Sequence, residues 1–211
     1  MYWFAYIVSF LFIRIFYPCK VINKKRITDG GMILIANHMS NLDGIYLVEY
    51  LPYRKHYFMA KKEMFKGKLI SKFVKSIGGI PVDRQKADLS AIKTSLSVLK
   101  KDKKLIIFPE GTRNKESEDL QAIKSGTAML ALKAKVPVVP IYIVKRGKLF
   151  CRQKLFVGNS FELSEFYDQK LSADILSSAS EKIEQELLNV QKEYKELQEN
   201  KKQKKTNKNW K

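Results

Sequence analysis

The chain has two histidines, and the spacing around one of them indicates acid–base chemistry. His38 follows the apolar run Met32–Ala36, and Asp43 stands five residues after it. A carboxylate bound to one imidazole nitrogen fixes the tautomer and raises the basicity of the other nitrogen, which can then take a proton from a hydroxyl. The alternative is structural: Asp43 is the capping carboxylate of a helix that starts at Ser40, and His38 is an ordinary loop residue.

The second histidine provides an internal comparison. The residue five positions after His56 is Lys61, which cannot act as a carboxylate partner. We therefore predict that His56 lies at the edge of a strand and takes no part in chemistry.

A second group of polar residues lies in the segment FPEGTRN, Phe108–Asn114. It combines the Glu110 carboxylate, a glycine at position 111 and the Arg113 guanidinium. Gly111 allows a ligand to approach the backbone closely, and Arg113 suits bidentate binding of phosphate. The segment GGIPVDR, which ends at Arg84, places a further guanidinium after another apolar run.

The elements that must position these residues follow an alternating pattern. Short apolar runs separated by amphipathic stretches predict βαβ units with a mostly parallel sheet. The predicted strands are Met32–Ala36, Tyr57–Ala60, Gly79–Val82, Leu105–Phe108 and Val136–Ile143. The predicted helices are Asp43–Leu51, Lys62–Ser76, Lys86–Lys100 and Ala122–Lys133. Sites collect at the carboxyl ends of strands in such sheets, so His38 and Glu110 should lie close together.

The remainder of the chain completes this α/β fold. Residues Cys151–Leu163 predict one or two edge strands, and Ala173–Leu197 predicts a long helix with one apolar face. Pro140 lies inside the strand VPVVPIYI, which implies a bulge or an edge position.

Composition sets the broad class. The 211 residues suffice for one domain, and 45% of them are hydrophobic, which indicates a globular protein. The formal net charge of +19 predicts an anionic partner: a nucleic acid, an anionic membrane or a phosphorylated substrate. Cys19 and Cys151 lack metal-ligand spacing, which indicates reduced thiols. We divide the chain into a hydrophobic membrane-anchoring segment (1–22), a domain (23–198) and a basic disordered tail (199–211).

The first segment begins MYWFAYIVSFLFIRIFYP and is apolar and aromatic. A helix over Tyr2–Tyr17, which Pro18 should end, spans about 24 Å and is shorter than a ~30 Å hydrocarbon core. The segment lacks the cleavage pattern of a signal peptide. We expect a half-embedded or tilted membrane anchor; the alternative is a buried core helix.

Four motifs together resemble the glycerolipid acyltransferase family, and within it the 1-acylglycerol-3-phosphate O-acyltransferases. The block Asn-His-x-Ser-x-x-Asp matches Asn37, His38, Ser40 and Asp43, and the segments GGIPVDR, FPEGTR and VPVVPIYI follow in family order. The first and third are specific when found together. Asn114 stands where many members have serine, a small departure. The resemblance covers about half of the chain.

The resemblance implies transfer of a fatty acyl group from a thioester to the sn-2 hydroxyl of lysophosphatidate, which gives phosphatidate. His38 would be the general base and Asp43 would orient it. The substrate-binding residues it implies are Glu110, Gly111, Thr112, Arg113, Arg84 and Lys124, although Arg84 could form a surface ion pair and Lys124 could be a solvated helix end. An oxyanion hole is expected from backbone N–H groups near His38 or Gly111.

The expected partners follow from the same chemistry. The acyl donor is acyl-CoA or acyl-carrier protein, with no other cofactor and no metal. We expect membrane association at the cytoplasmic face of the cell membrane, where the basic surface favours anionic lipids. A related activity on glycerol-3-phosphate or another lysophospholipid is an alternative. A basic membrane- or nucleic-acid-binding module is a second, but the chain has no nucleic-acid-binding motif.

Overall fold

The structure, a computed structural model, describes residues 10–52, 56–83, 88–114 and 120–208. Its centre is a sheet of seven strands in the order β1-β7-β6-β2-β5-β3-β4. The strands are β1 (Cys19–Ile22), β2 (Met32–Ala36), β3 (His56–Lys61), β4 (Gly79–Val82), β5 (Lys104–Ile107), β6 (Val138–Ile143) and β7 (Gln153–Val157). The helices are α1 (the described part is 10–16), α2 (Asp43–Tyr50), α3 (Lys68–Ser76), α4 (Leu89–Lys100), α5 (Ser125–Ala134) and α6 (Ala173–Lys208).

Five adjacent strands, β6 to β4 in this order, are parallel, while β7 is antiparallel to β6 and parallel to β1. Strand β2 is buried along its whole length because apolar side chains pack on both of its faces. Ile33 and Ile35 pack with α4, α5 and the start of α6, whereas Leu34 packs on the other face with α2. The predicted single-domain α/β fold with a mostly parallel sheet and a long C-terminal helix is therefore confirmed.

The predicted edge strand is wrong in its position. Strand β7 lies between β1 and β6, and β1, which sequence analysis placed in the anchor segment 1–22, forms the edge. A strand as short as Cys19–Ile22, with one charged residue and little periodicity, gives no clear pattern. The sheet thus begins inside the segment that was predicted to serve only as an anchor.

Pro140 lies in an interior strand, opposite a bulge. Between the pairs Ile141↔Val157 and Val138↔Phe161, β6 has two residues (139–140) and the segment after β7 has three (158–160). This extra residue is a β-bulge. The Pro140 carbonyl accepts a hydrogen bond from Gly158 N (2.8 Å) at the point where the β7 ladder ends. Pro140 therefore lies beyond the regular pairing of β6 with β7, and its missing N–H removes no hydrogen bond from that pairing.

The predicted disordered tail, 199–211, is wrong over most of its length. Helix α6 continues to Lys208, and residues 209–211 lie outside the described part. Half of residues 199–208 are lysines, which are good helix formers, and this extension contains no Gly or Pro. Each added residue of an existing helix gains a hydrogen bond without a new nucleation step, so a polar sequence can continue it.

The N-terminal segment is described from residue 10 onward, and Tyr2 to Ser9 lie outside the described residues. Helix α1 ends before Pro18, as predicted, and packs through Phe16 on Phe150, with ring centroids 5.2 Å apart. Across the described ranges, no helix combines the length and apolarity needed to cross a membrane.

His56 is the first residue of β3 and is almost fully buried. Burial lowers its pKa to about 4, and the Pro52 backbone carbonyl opposes this shift less strongly. Neither ring nitrogen has a hydrogen-bond partner among the described residues. The prediction of a strand-edge residue is right only in that His56 begins the strand, because its side chain belongs to the interior.

The buried imidazole predicts a loss of stability in acid. Above pH 6.5 His56 is neutral in both the folded and the unfolded chain, and as the pH falls toward 4 only the unfolded chain binds the proton. We expect His56 to account for a decrease of up to about 3 kcal/mol in the free energy of unfolding over this range. Urea titrations of wild type and His56→Phe at pH 7 and pH 4.5 measure this difference. An equal pH dependence in both proteins would contradict the assignment.

Candidate active site

The loops after β2 and β5 meet because the two strands are parallel neighbours. The register pairs Ile35 with Ile107, so both chains leave the sheet at the same edge. His38 N donates to Glu110 Oε1 (2.7 Å), and Asn114 N donates to the His38 carbonyl (2.8 Å). The proximity that the sequence predicted for His38 and Glu110 is therefore confirmed.

The Asp43 carboxylate is completely buried and fixes the loop around His38. Its Oδ2 accepts hydrogen bonds from Met39 N (2.6 Å) and Ser40 N (2.6 Å), and it lies 3.0 Å from His38 Nδ1. Oδ1 accepts from Ser40 Oγ (2.8 Å). Helix α2 begins at Asp43, so the predicted N-cap at Ser40 is wrong: a turn over residues 41–42 intervenes. The one carboxylate therefore binds the backbone of the loop and also holds the imidazole.

These contacts assign the proton positions of His38. An oxygen that accepts two backbone N–H bonds is an acceptor toward the imidazole as well, so Nδ1 carries the hydrogen and Nε2 carries the lone pair. The side chain retains 11% exposure, and Nε2 makes no hydrogen bond to any residue that the structure describes. The ring stacks on Phe108, with centroids 4.0 Å apart and planes 17° apart. His38 is therefore a held imidazole with its basic nitrogen open.

Glu110 is buried and both of its carboxylate oxygens are occupied. Oε1 accepts from His38 N, and Oε2 accepts from Gln121 N (3.2 Å). Burial raises the pKa of Glu110, and the two backbone N–H bonds oppose this shift. Sequence analysis assigned this residue to substrate binding, whereas in the structure its contacts join three segments of the backbone.

The remaining predicted binding residues surround this buried pair at the surface. Gly111 adopts a φ of +69°, and a Cβ there would lie 2.7 Å from Lys124 Cδ. Glycine is thus favoured by the left-handed backbone conformation, and the flexible side chain of Lys124 covers it. Thr112, Arg113 and Lys124 are exposed; Arg113 bonds Asn41 Oδ1 (2.5 Å), and Thr112 bonds Gln121.

The other predicted site features have different outcomes. Arg84 lies outside the described residues, so its binding role remains a prediction. The neighbouring Asp83 bonds Lys62 Nζ at 2.7 Å. In the described ranges, no three His, Cys, Asp or Glu side chains group as metal ligands.

Sequence reasoning named Asn37 and Phe108 within motifs but missed the supporting contacts that they make. Asn37 exchanges two hydrogen bonds with the backbone of Ile143, through Nδ2 (3.1 Å) and Oδ1 (2.8 Å), and so ties the end of β2 to β6. Phe108 forms the surface on which the imidazole lies. The sequence does contain a sign of the Asn37 contacts, because a polar amide directly after a fully buried strand needs hydrogen-bond partners. It contains no sign of the Phe108 contact, because ring stacking produces no characteristic residue spacing.

The arrangement combines a base with a cationic rim. An imidazole with an open Nε2 and a buried carboxylate on Nδ1 can take a proton from a hydroxyl and return it. Arg113 and Lys124 place two positive side chains on the segment after β5, which is bonded to the loop that carries the base, and this suits an anionic substrate. The site is therefore equipped for proton transfer on a substrate that bears a negative group.

Comparison with known proteins agrees with this chemistry. The chain is 38% identical over 158 residues to the 1-acyl-sn-glycerol-3-phosphate acyltransferase of Bacillus subtilis, covering 70% of this chain and 75% of that relative. It is 32% identical over 181 residues to the Streptococcus pneumoniae enzyme of the same name, covering 82% of this chain and 66% of that relative.

A solved structure shares the fold. The crystal structure of the 1-acyl-sn-glycerophosphate acyltransferase PlsC from Thermotoga maritima superimposes with a TM-score of 0.63 at 21% identity, over 88% of this chain and 75% of that one. The Acyltransferase family model matches residues 18–144, more than half of the chain, and includes every site residue named above. The chain belongs to the Acyltransferase family.

Proposed function

We propose that the chain is a 1-acylglycerol-3-phosphate O-acyltransferase, which moves a fatty acyl group from a thioester to the sn-2 hydroxyl of lysophosphatidate and forms phosphatidate. The observation that carries the proposal is the His38–Asp43 pair with an open Nε2 beside Arg113 and Lys124. The names of the relatives support the same acceptor.

The reaction needs a single base. As the acceptor oxygen bonds to the thioester carbonyl carbon, its proton passes to His38 Nε2. Asp43 stabilises the imidazolium that forms, and the aromatic face of Phe108 favours the same charged state. When the tetrahedral intermediate collapses, the C–S bond breaks and the imidazolium proton passes to the leaving thiolate. No acyl-enzyme is required, since the chain has no Gly-x-Ser-x-Gly elbow.

The backbone limits where an oxyanion could be bound. The N–H groups of His38, Met39, Ser40 and Gly111 are all engaged within the protein, so these four are poor candidates among the predicted donors near His38 or Gly111. The N–H groups of Thr112 and Arg113 make no hydrogen bond to the described residues. We place the oxyanion donors among these, at the same loop that carries the cationic rim.

The substrate roles divide between buried and exposed groups. Arg113 and Lys124 hold the phosphate, with Arg84 as the third cation and with Gly111 and Thr112 at its border. Glu110 acts by holding His38. Acyl-CoA and acyl-carrier protein are both acidic, so the net charge of +19 suits either donor. Membrane association at the cytoplasmic leaflet gives both the lipid acceptor and the product a short path.

Removal of the base should abolish turnover. We expect His38→Ala to lower kcat by about 10³-fold, because it deletes the proton acceptor, while the far-ultraviolet circular dichroism stays unchanged. Phosphatidate formation from acyl-CoA and lysophosphatidate by purified protein in detergent measures this. Parallel reactions with glycerol-3-phosphate and with acyl-carrier protein separate the alternative acceptor and donor. Activity near that of wild type would rule out His38 as the base.

Glu110→Gln tests whether Glu110 positions the base. The glutamine amide NH2 would face one of the two backbone N–H groups, of His38 or of Gln121, so one bond that fixes the loop around His38 is lost. We expect kcat to fall about 10- to 100-fold with little change in KM, and the free energy of unfolding to fall by about 1–3 kcal/mol. Glu181→Gln on the exposed face of α6 is the control. A raised KM with unchanged kcat would instead assign Glu110 to substrate binding.

Arg113→Ala tests the phosphate site. Loss of a charge-assisted bond to an exposed phosphate should raise KM for lysophosphatidate about tenfold and leave KM for 1-monoacylglycerol, which lacks phosphate, unchanged. Lys192→Ala, on the exposed surface of α6, controls for net charge. An equal loss with both acceptors would show that Arg113 does not bind the phosphate.

A further inference from the structure

Helix α3 exposes an apolar surface. Leu69 is 79% exposed, Ile70 58% and Phe73 38%, and Met64, in the turn before the helix, is 52% exposed. Val74 alone in this helix is buried. Large apolar side chains side by side at the surface indicate an interaction site, because a helix that faced only water would expose its polar side chains instead.

The polar residues around this surface are almost all basic. Residues 62–75 contain five lysines, at positions 62, 66, 68, 72 and 75, and a single carboxylate, Glu63. At 100° per residue, Leu69, Ile70 and Phe73 share one face. Lys72 lies next to Leu69, and Lys68 and Lys75 lie on the opposite, polar face of the helix. A helix with an apolar face and a lysine-rich polar face matches an interface of hydrocarbon and anionic headgroups.

The sheet topology places this surface at the edge that carries the base. Strand β3 is parallel to β5, and its final residue, Lys61, leads directly into the turn before α3. Strands β1 and β7 run in the opposite direction, so the segments before them reach the same edge. There α1 exposes Phe12 and Ile15, and Phe150 is 65% exposed. Two apolar surfaces thus lie at this edge, on opposite sides of β2 and β5.

We propose that α3 and the preceding turn, residues 62–75, form a second bilayer-contacting surface that inserts Leu69, Ile70 and Phe73 among anionic phospholipids. Together with α1 it would hold the sheet edge, and therefore His38, against the membrane on two sides. This placement depends on the fold and not on the proposed reaction. A bilayer is favoured over a protein partner because the apolar surface on the β1–β7 side shares the same edge.

A tryptophan reporter tests the insertion directly. The native tryptophans, Trp3 and Trp210, are replaced by phenylalanine, and Phe73→Trp is compared with Leu188→Trp, a matched reporter on the exposed face of α6. On vesicles of phosphatidylcholine and phosphatidylglycerol (7:3) that contain brominated lipid, we expect at least half of the Phe73→Trp emission to be quenched and the control to change little. Equal quenching at the two positions would overturn the proposal.

A second set of variants tests whether the lysines of α3 contribute to binding of anionic vesicles. Changing Lys68, Lys72 and Lys75 together to Gln should weaken cosedimentation with these vesicles at least fivefold, but not with phosphatidylcholine alone. The double change Lys192→Gln and Lys195→Gln on α6 is the control. Unchanged binding, or a Phe73→Trp signal that responds to acyl-carrier protein and not to vesicles, would overturn the proposal. Vesicle binding is read without turnover, so failure of the proposed reaction leaves this result intact.

Discussion

A single buried carboxylate sets the geometry of the site. Asp43 has no contact with water, and as an anion it is stable there because hydrogen bonds from Met39, Ser40 and the His38 ring replace hydration. Those donors belong to consecutive residues, so the loop must curl around the carboxylate. The curl fixes the tautomer and direction of the imidazole. Removing the charge would release the loop and the base together.

The surrounding groups fall into two classes with different physical character. Glu110, Asn37 and Phe108 support the base through buried hydrogen bonds and ring stacking, and they have little freedom to move. Arg113 and Lys124 are exposed, and long side chains in water adapt to a ligand. A rigid base beside an adaptable anion receptor suits a substrate whose phosphate is constant and whose chain varies.

The sequence predicted the parts of this architecture that depend on local pattern. The bounds of β2 and β4 agree with the prediction, because an apolar run next to polar or glycine residues marks a buried strand. His38 and Asp43 were found because their spacing has a chemical reason. The role of Glu110 was missed, because its partners are backbone groups 72 and 11 residues away. Strand β1 was missed because its stability comes from β7, which a local window cannot contain.

The pairing of β1 with β7 has a consequence for folding during synthesis. Cys19 pairs with Gln153, so more than a hundred further residues must be synthesised before the first strand of the sheet can pair with its partner. The face of β6 and β7 that packs on α6 is covered later still, because the residues that cover it are Ile183, Leu187 and Val190. Until then a nascent chain displays apolar surface and an unpaired strand, the features that make partly made proteins aggregate or need chaperones. The order of elements along the chain therefore makes completion of the sheet a late event.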